Sequence, residues 1–203
     1  MADIVLTGDT SGAITIAAPA VAGTNTLTLP ASTGTVVTDT APAVGGIIQV
    51  VNKVISTQGS QTIATTDTQV GTGTDFDLSI TPKGAGSKFV VSARWFGEIT
   101  SAWNVVFNIQ RDGVRINADG ATASNKLGLS MATQTYGGTV DDATTPEIMN
   151  LQTVDSTGST IGTAITYTLV AASGLSPTMW TNRTFGGAGE YGVSELMIME
   201  VAQ

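Results

Sequence analysis

The chain has 203 residues with no histidine and no cysteine, a formal net charge of −8 and only 12% charged side chains. The missing imidazole and thiol groups remove most catalytic chemistry and any disulfide framework. The eight Lys and Arg residues are not clustered as a polyphosphate partner requires, and no apolar run reaches the ~18 residues of a membrane span. We therefore expect an assembly component rather than an enzyme, with no cofactor, no nucleic acid partner and no membrane insertion.

The scarcity of charge bears on how the surface is used. Soluble domains commonly have about a quarter of their residues charged, twice the fraction found here. This favours a surface that is partly buried against other chains. An ordinary threonine-rich β surface is the alternative interpretation.

The N-terminal fifth of the chain has strand chemistry without the bulk of a core. Met1–Thr10 has neither a basic start nor an apolar centre, so we expect no secretion signal and synthesis in a cytoplasm. Gly12–Thr38 alternates Ile, Leu and Val with Thr or Ala, and Gly and Pro interrupt it. Such short strands cannot form a core alone. The pattern predicts a thin β-structured shaft over residues 1–44, built from several copies.

Residues 45–203 indicate an all-β head of jelly-roll type. Asp112-Gly113, between two alternating stretches of Trp103–Asn117, is the dipeptide favoured in a two-residue hairpin turn. No segment favours a helix. Eight to ten short strands with short connections fit a jelly-roll β-sandwich. The other predicted strands are Ile47–Ser56, Thr74–Pro82, Lys88–Ile99, Lys126–Ala132, Glu147–Val154, Ala164–Ala172, Thr178–Asn182 and Ser194–Gln203.

Two parts of the sequence resemble structural proteins of bacteriophages. The stretch "ITIAAPAVAGTNTLTLPASTGTVVT" is similar to a segment near the start of many tail-fibre proteins. The pieces "SITPKGAGSKFVVSARWFG", "FNIQRDGVRI" and "ELMIMEV" resemble the trimeric TNF/C1q-like jelly-roll heads of such proteins. The resemblance implies a homotrimer on a virion, with a shaft and a globular head. The chain is shorter than typical tail fibres, which favours a short fibre or tip protein.

Three motifs have ordinary interpretations beside their chemical ones. Gly187–Gly192 fits G-x-G-x-x-G, but only a short strand-like segment follows it, so we expect a turn and no dinucleotide site. Asp75 and Asp77, two apart on one predicted strand, favour a solvated face over a Ca²⁺ site. Asp141-Asp142, near Glu147, suits either an exposed acidic loop or a hard-cation site. We therefore predict no catalytic residue and no metal ligand.

Asn182-Arg183-Thr184 forms an N-glycosylation triplet. Because we expect no secretion signal, we interpret this triplet as incidental.

Aromatic side chains are the candidates for receptor contact. Trp95 lies inside an apolar strand and is expected in the core. Trp103, Trp180 and Tyr191 are the candidates for stacking on a host cell-surface glycan, the receptor class that the phage resemblance implies. Packing in the core or between subunits is the alternative for these rings.

The last predicted strand is apolar on both faces. Leu196, Ile198 and Glu200 alternate with Met197, Met199 and Val201. An edge strand with one wet face would not show this pattern, so we predict a central strand. One face would lie in the sandwich core, and Met197, Met199 and Val201 would contact other copies near the threefold axis.

Together these observations favour a virion structural protein whose head serves host attachment and whose N-terminal segment contacts other virion proteins. A capsid decoration or cement protein is the alternative within this class. A secreted bacterial C1q-like lectin or adhesin is the alternative from another class, and a polysaccharide lyase is the enzymatic one.

Overall fold

The computed structural model describes residues 4–17, 20, 21, 23, 24, 26, 43–100, 105–117, 128–131, 146–185 and 190–203. The chain divides into two compact units, Met1–Val36 and Val37–Gln203. Every regular element in the described ranges is a β-strand, which confirms the predicted all-β class. Within these ranges there is no helix of the length and hydropathy that would cross a membrane.

The first unit contains one described hairpin. Strand β1 (Ile4–Thr7) pairs antiparallel with β2 (Ala13–Ile16), and the Gly8 amide donates to the Gly12 carbonyl at 3.1 Å in the turn. The predicted strand around Ile14 is present. The further apolar pairs predicted in this unit, at Leu27 and Val36, lie outside the described residues, so the shaft remains a prediction.

Sheet I of the second unit has six strands: β3 (Ile47–Ile55), β4 (Gly59–Thr62), β7 (Lys88–Ile99), β11 (Glu147–Asp155), β13 (Thr178–Thr181) and β14 (Ser194–Val201). It is organised around the long strand β7. One edge of β7 pairs with β11, and successive stretches of its other edge pair with β14 and then β13. β3 pairs with the far edge of β14, and β4 with the far edge of β13, so the sheet is four strands wide.

Sheet II also has six strands: β5 (Thr68–Gln69), β6 (Asp77–Ile80), β8 (Val105–Arg111), β9 (Val114–Arg115), β10 (Ser130–Met131) and β12 (Ile165–Ser173). β8 and β12 pair with each other at its centre. The short strands β9 and β10 pair with the other edge of β8, and β5 and β6 pair with the other edge of β12. The two antiparallel sheets, each four strands wide, form a jelly-roll-like β-sandwich.

The core lies between the two sheets and is built from their inward-facing side chains. Trp95 packs on Phe107 with ring centroids 5.5 Å apart, and Phe89 packs on Tyr167 at 6.0 Å. All four rings are fully buried. The Trp95 indole donates to the Thr181 hydroxyl at 3.1 Å, so its one polar atom is satisfied. The prediction that Trp95 belongs to the core is confirmed.

Several local expectations can be compared with the observed elements. The Asp112-Gly113 hairpin is confirmed: both residues have positive φ, +49° and +85°, as the tight turn between β8 and β9 requires. The strand predicted at Thr74–Pro82 begins only at Asp77. Asp75 lies in the preceding turn, where its carboxylate accepts the Thr72 amide at 3.0 Å. The prediction that Asp75 and Asp77 share one strand is therefore wrong.

Candidate functional site

Strand β14 separates two apolar environments. Leu196 and Ile198 are fully buried between the sheets, whereas Met197, Met199 and Val201 point to the outer face of sheet I and are partly exposed. β14 lies between β3 and β7. The predicted central position of this strand is therefore confirmed, and the contact of its outer residues with other copies stays a prediction.

An aliphatic band crosses the outer face of sheet I. Met199 lies opposite Val50 of β3 on one side and Val90 of β7 on the other, and Val90 lies opposite Val154 of β11. Val50 is 52% exposed and Val154 is 45% exposed. Aliphatic side chains from four neighbouring strands thus form one row, exposed at Val50 and Val154 and partly exposed at Val90 and Met199. We call Val50, Val90, Val154 and Met199 the aliphatic band.

A groove of about 440 Å³ runs beside the aliphatic band. Met197 lies at its floor, and the Gln152 amide donates to the Ser92 hydroxyl at 3.1 Å. Arg94 and Glu195 lie opposite each other on β7 and β14 and line the same groove. The groove therefore places one cation and one anion beside an apolar row.

Aromatic side chains cluster around the Trp180 end of sheet I. Trp180 is only 9% exposed because the ring of Phe185 packs on it with centroids 4.6 Å apart. Phe185 is 49% exposed and Tyr191 is 57% exposed. Trp180 is thus not the exposed ring expected from the sequence, Tyr191 is exposed, and Trp103 lies outside the described residues. Sequence reasoning missed Phe185, since nothing local indicated that it covers Trp180.

Part of the outer face of sheet II is polar and internally hydrogen-bonded. The Asp77 carboxylate accepts the Gln69 amide at 3.0 Å and the Thr168 hydroxyl at 2.6 Å. Asp67 accepts the Gln110 amide at 2.9 Å and forms an ion pair with Arg115. These side chains satisfy one another within the chain, so this part of the face has the composition of a solvated surface. Further outward positions of β8 and β12 are buried, each at most 2% exposed: Val106, Asn108, Val170 and Ala172.

A buried carboxylate connects the two sheets. Asp155 of sheet I accepts Arg111 of sheet II at 2.8 Å, the Tyr167 hydroxyl at 2.7 Å and the Thr157 amide at 2.8 Å. Burial by itself would raise the pKa of Asp155, but the hydrogen bonds from Tyr167, Thr157 and Arg111 outweigh it and hold that pKa below its ordinary value. Burial and the adjacent Asp155 carboxylate raise the pKa of Tyr167, which stays protonated.

A second buried carboxylate fixes a loop at the end of β14. Glu200 accepts the Gly84 amide and the Ser87 hydroxyl at 2.8 Å each, the Lys83 amide at 3.0 Å and the Gln49 amide at 2.6 Å. Burial opposes ionisation, yet these donors hold the pKa of Glu200 below its ordinary value. Its position in line with Leu196 and Ile198 was the sequence signal for this burial.

The glycosylation triplet is structural in this fold. Asn182 is fully buried, and its amide donates to the carbonyls of Ile55 and Thr57 at 2.9 and 2.8 Å while its oxygen accepts the Ser194 hydroxyl at 2.7 Å. All of its donors are therefore used to join the ends of three strands. An oligosaccharide could not be attached here without breaking these bonds.

The remaining sequence motifs have the following positions. Gly187–Gly189 and Asp141-Asp142 lie outside the described residues, and Gly192 lies two positions before the start of β14. Within the described part of the chain, no three carboxylates are arranged to hold a metal ion.

Comparison with known proteins adds no assignment to this geometry. A scan against protein-family models and a search of curated proteins both find no match. The candidate site is therefore defined by the geometry of this chain alone. Its features are the outer face of sheet I, with its aliphatic band and charged groove, and the exposed aromatic rings of Phe185 and Tyr191.

Proposed function

We propose that the chain is a homotrimeric structural protein of a bacteriophage virion, in which the jelly-roll-like head serves host attachment and the N-terminal unit joins the particle. The observation that carries the proposal is the aliphatic band on the outer face of sheet I, where side chains from four strands are exposed or partly exposed. The phage assignment follows from the sequence resemblance, and the mechanism is binding rather than catalysis.

The exposed band favours association between copies of the chain. Each buried Å² of apolar surface contributes roughly 25 cal/mol, so contiguous aliphatic side chains gain most when another molecule covers them. The outer face of sheet II offers no comparable gain, because the polar groups around Asp67 and Asp77 already satisfy one another and its apolar residues are already buried. A cyclic homotrimer covers the band of every copy by the same contact.

The N-terminal hairpin supports a separate role for the first unit. Ile4, Leu6, Ile14 and Ile16 share one face of the hairpin, and each is more than half exposed. A two-stranded hairpin with an uncovered apolar face is marginally stable in water. Other copies of the hairpin, or other virion proteins, would supply the missing contact.

Attachment by three heads depends on avidity. Three identical heads on one particle multiply weak individual contacts into tight binding. The exposed rings of Tyr191 and Phe185 offer flat apolar surface of the kind that stacks on sugars, and Trp103 stays a candidate from the sequence. A host surface glycan is the receptor class that we propose.

Gold-labelled antibodies raised against the chain test the proposal on intact phage particles by electron microscopy. We expect label on the tail. Label confined to the capsid would contradict a role in host attachment and would favour a capsid decoration protein. Label on the bacterial surface with none on particles would overturn the proposal in favour of the lectin or adhesin.

A further inference from the structure

We infer that Arg94 of one copy forms an ion pair with Glu195 of the neighbouring copy, across the outer faces of their sheets I. This inference rests on the proposed homotrimer and identifies the contact that sets how its heads meet. It assigns a specificity role to two groove residues that lie beside the aliphatic band.

The positions of the two side chains allow such a contact. Glu195 on β14 lies opposite Arg94 on β7, and their neighbours Leu196 and Ala93 are buried between the sheets. Strand alternation therefore directs both charged side chains to the outer face. Arg94 is exposed, and Glu195 is half-buried.

Neither charge is fully satisfied within the chain. Arg94 uses its Nη2 atom to donate to the Val193 carbonyl at 2.9 Å, which leaves other guanidinium donors open. The Glu195 carboxylate accepts no hydrogen bond from any described residue. The ion pairs found in the described part of the chain are Arg111–Asp155 and Arg115–Asp67, so Arg94 and Glu195 do not pair with each other.

Covering the aliphatic band would also remove water from these two charges. Burying an unpaired charge costs several kcal/mol, enough to oppose the gain from the apolar contact. A second copy solves this problem, since the groove carries one cation and one anion and is complementary to itself. In a cyclic trimer each copy gives its Arg94 to one neighbour and its Glu195 to the other, so both groove charges are matched.

The pair would contribute specificity beyond the apolar contact. Aliphatic rows slide over each other at little cost, whereas the planar guanidinium fork accepts a carboxylate in few orientations. The Arg94–Glu195 contact would thus fix the register of neighbouring heads. Acidic partners unlike this chain would leave Glu195 unpaired and be disfavoured.

Charge reversal in the full chain tests the pair by light scattering coupled to size exclusion. We expect Arg94→Glu and Glu195→Arg each to weaken trimer association by about tenfold or more, and the double variant to restore it. Glu190→Arg makes the same charge change at an exposed position outside the strands and should leave association unchanged. Equal association of all four variants with the wild type would overturn the inference.

Cysteine cross-linking distinguishes a contact between copies from one within a copy, because the chain has no cysteine of its own. Arg94→Cys chains co-expressed with Glu195→Cys chains carry one cysteine each, so no disulfide can form within a chain, and we expect covalent dimers of the two variants on a non-reducing gel. No covalent dimer of the two variants, in a protein that is still trimeric, would overturn the inference and leave the proposed function standing. A wild-type chain that never associates would overturn both.

Discussion

The two outer faces of the sandwich differ although the same fold produces both. On sheet I, Val50 and Val154 are about half exposed and belong to an aliphatic band. On sheet II, Asp77 binds Gln69 and Thr168, and the carboxylate is satisfied by its own sheet. A face whose polar groups are satisfied internally gains little from a partner. An exposed aliphatic face gains apolar burial, so the comparison indicates which side of the head faces other protein.

The difference between the two outer faces arises from the residues that occupy the outward positions of each strand. In β12 the outward positions include Thr166 and Thr168, which hydrogen-bond to neighbours on the sheet. In β14 the outward positions are Glu195, Met197, Met199 and Val201. Both strands place apolar side chains inward, and the two apolar outward residues of β12, Val170 and Ala172, are already buried. The outward residues that remain exposed therefore distinguish a solvated surface from one that is suited to association.

The largest expected effect comes from the interior that both faces share. Asp155→Ala removes the carboxylate that joins sheet I to Arg111 and Tyr167 of sheet II. Because it leaves a poorly exposed guanidinium and a buried hydroxyl without their partner, we expect a loss of about 3–5 kcal/mol of unfolding free energy. Urea denaturation measures it. An unchanged midpoint would mean that the two sheets do not depend on this connection.

The next effect separates the two faces directly. Met197→Asp places a charge on the outer face of sheet I, next to the same charge of other copies, and should dissociate or misfold the trimer. Ser79→Asp is the matched change on the outer face of sheet II, where the side chain is exposed beside the outward Thr166. Asp75→Asn is a second control, since an amide oxygen can still accept the Thr72 amide. Light scattering should show loss of the trimer for Met197→Asp only; a trimer with unchanged melting temperature would place Met197 in solvent.

Acidification should lower the unfolding free energy of the chain without weakening the apolar contact proposed between copies. The pKa values of Asp155 and Glu200 are depressed in the folded chain, so both groups bind protons more readily when it unfolds. Their stabilisation is present above the ordinary carboxyl pKa of about 4 and is lost as the pH falls through the lower folded values. Melting temperatures measured from neutral pH downward should fall in this range. Glu200→Gln should melt lower at neutral pH and change less with acid; an equally steep acid dependence would count against Glu200.

The smallest effect is expected on the polar face. Arg115→Ala removes the ion pair with Asp67 on the outer face of sheet II. The two side chains are only 18% and 16% exposed and meet through two guanidinium nitrogens, so we expect a cost of about 1–2 kcal/mol and no change in oligomeric state. Thermal melting and light scattering measure the two quantities. Dissociation of the oligomer by this variant would reverse our assignment of the two faces.

Local patterns were sufficient to predict much of the head. Alternation located the long strands, Asp112-Gly113 located a hairpin, and the two apolar faces of β14 predicted its central position. Two short strands, Gly59–Thr62 and Thr68–Gln69, were not predicted, because they are polar and form only by pairing with β13 and β12.

The parts of the candidate site that escaped prediction depend on residues distant in the sequence. Asp155 and Arg111 are 44 residues apart, and only the packing of two sheets brings them together. The burial of Trp180 escaped prediction for another reason: only the path of the chain after β13 brings the nearby Phe185 over its ring. The charges of Arg94 and Glu195 became informative only when strand register placed them side by side.

The central claim is that the chain works as a trimer held in part by the outer face of sheet I. Light scattering coupled to size exclusion, on the full chain at micromolar concentration, tests it most directly. We expect a mass about three times the 20.6 kDa of one chain. A mass of one chain under these conditions would contradict the claim.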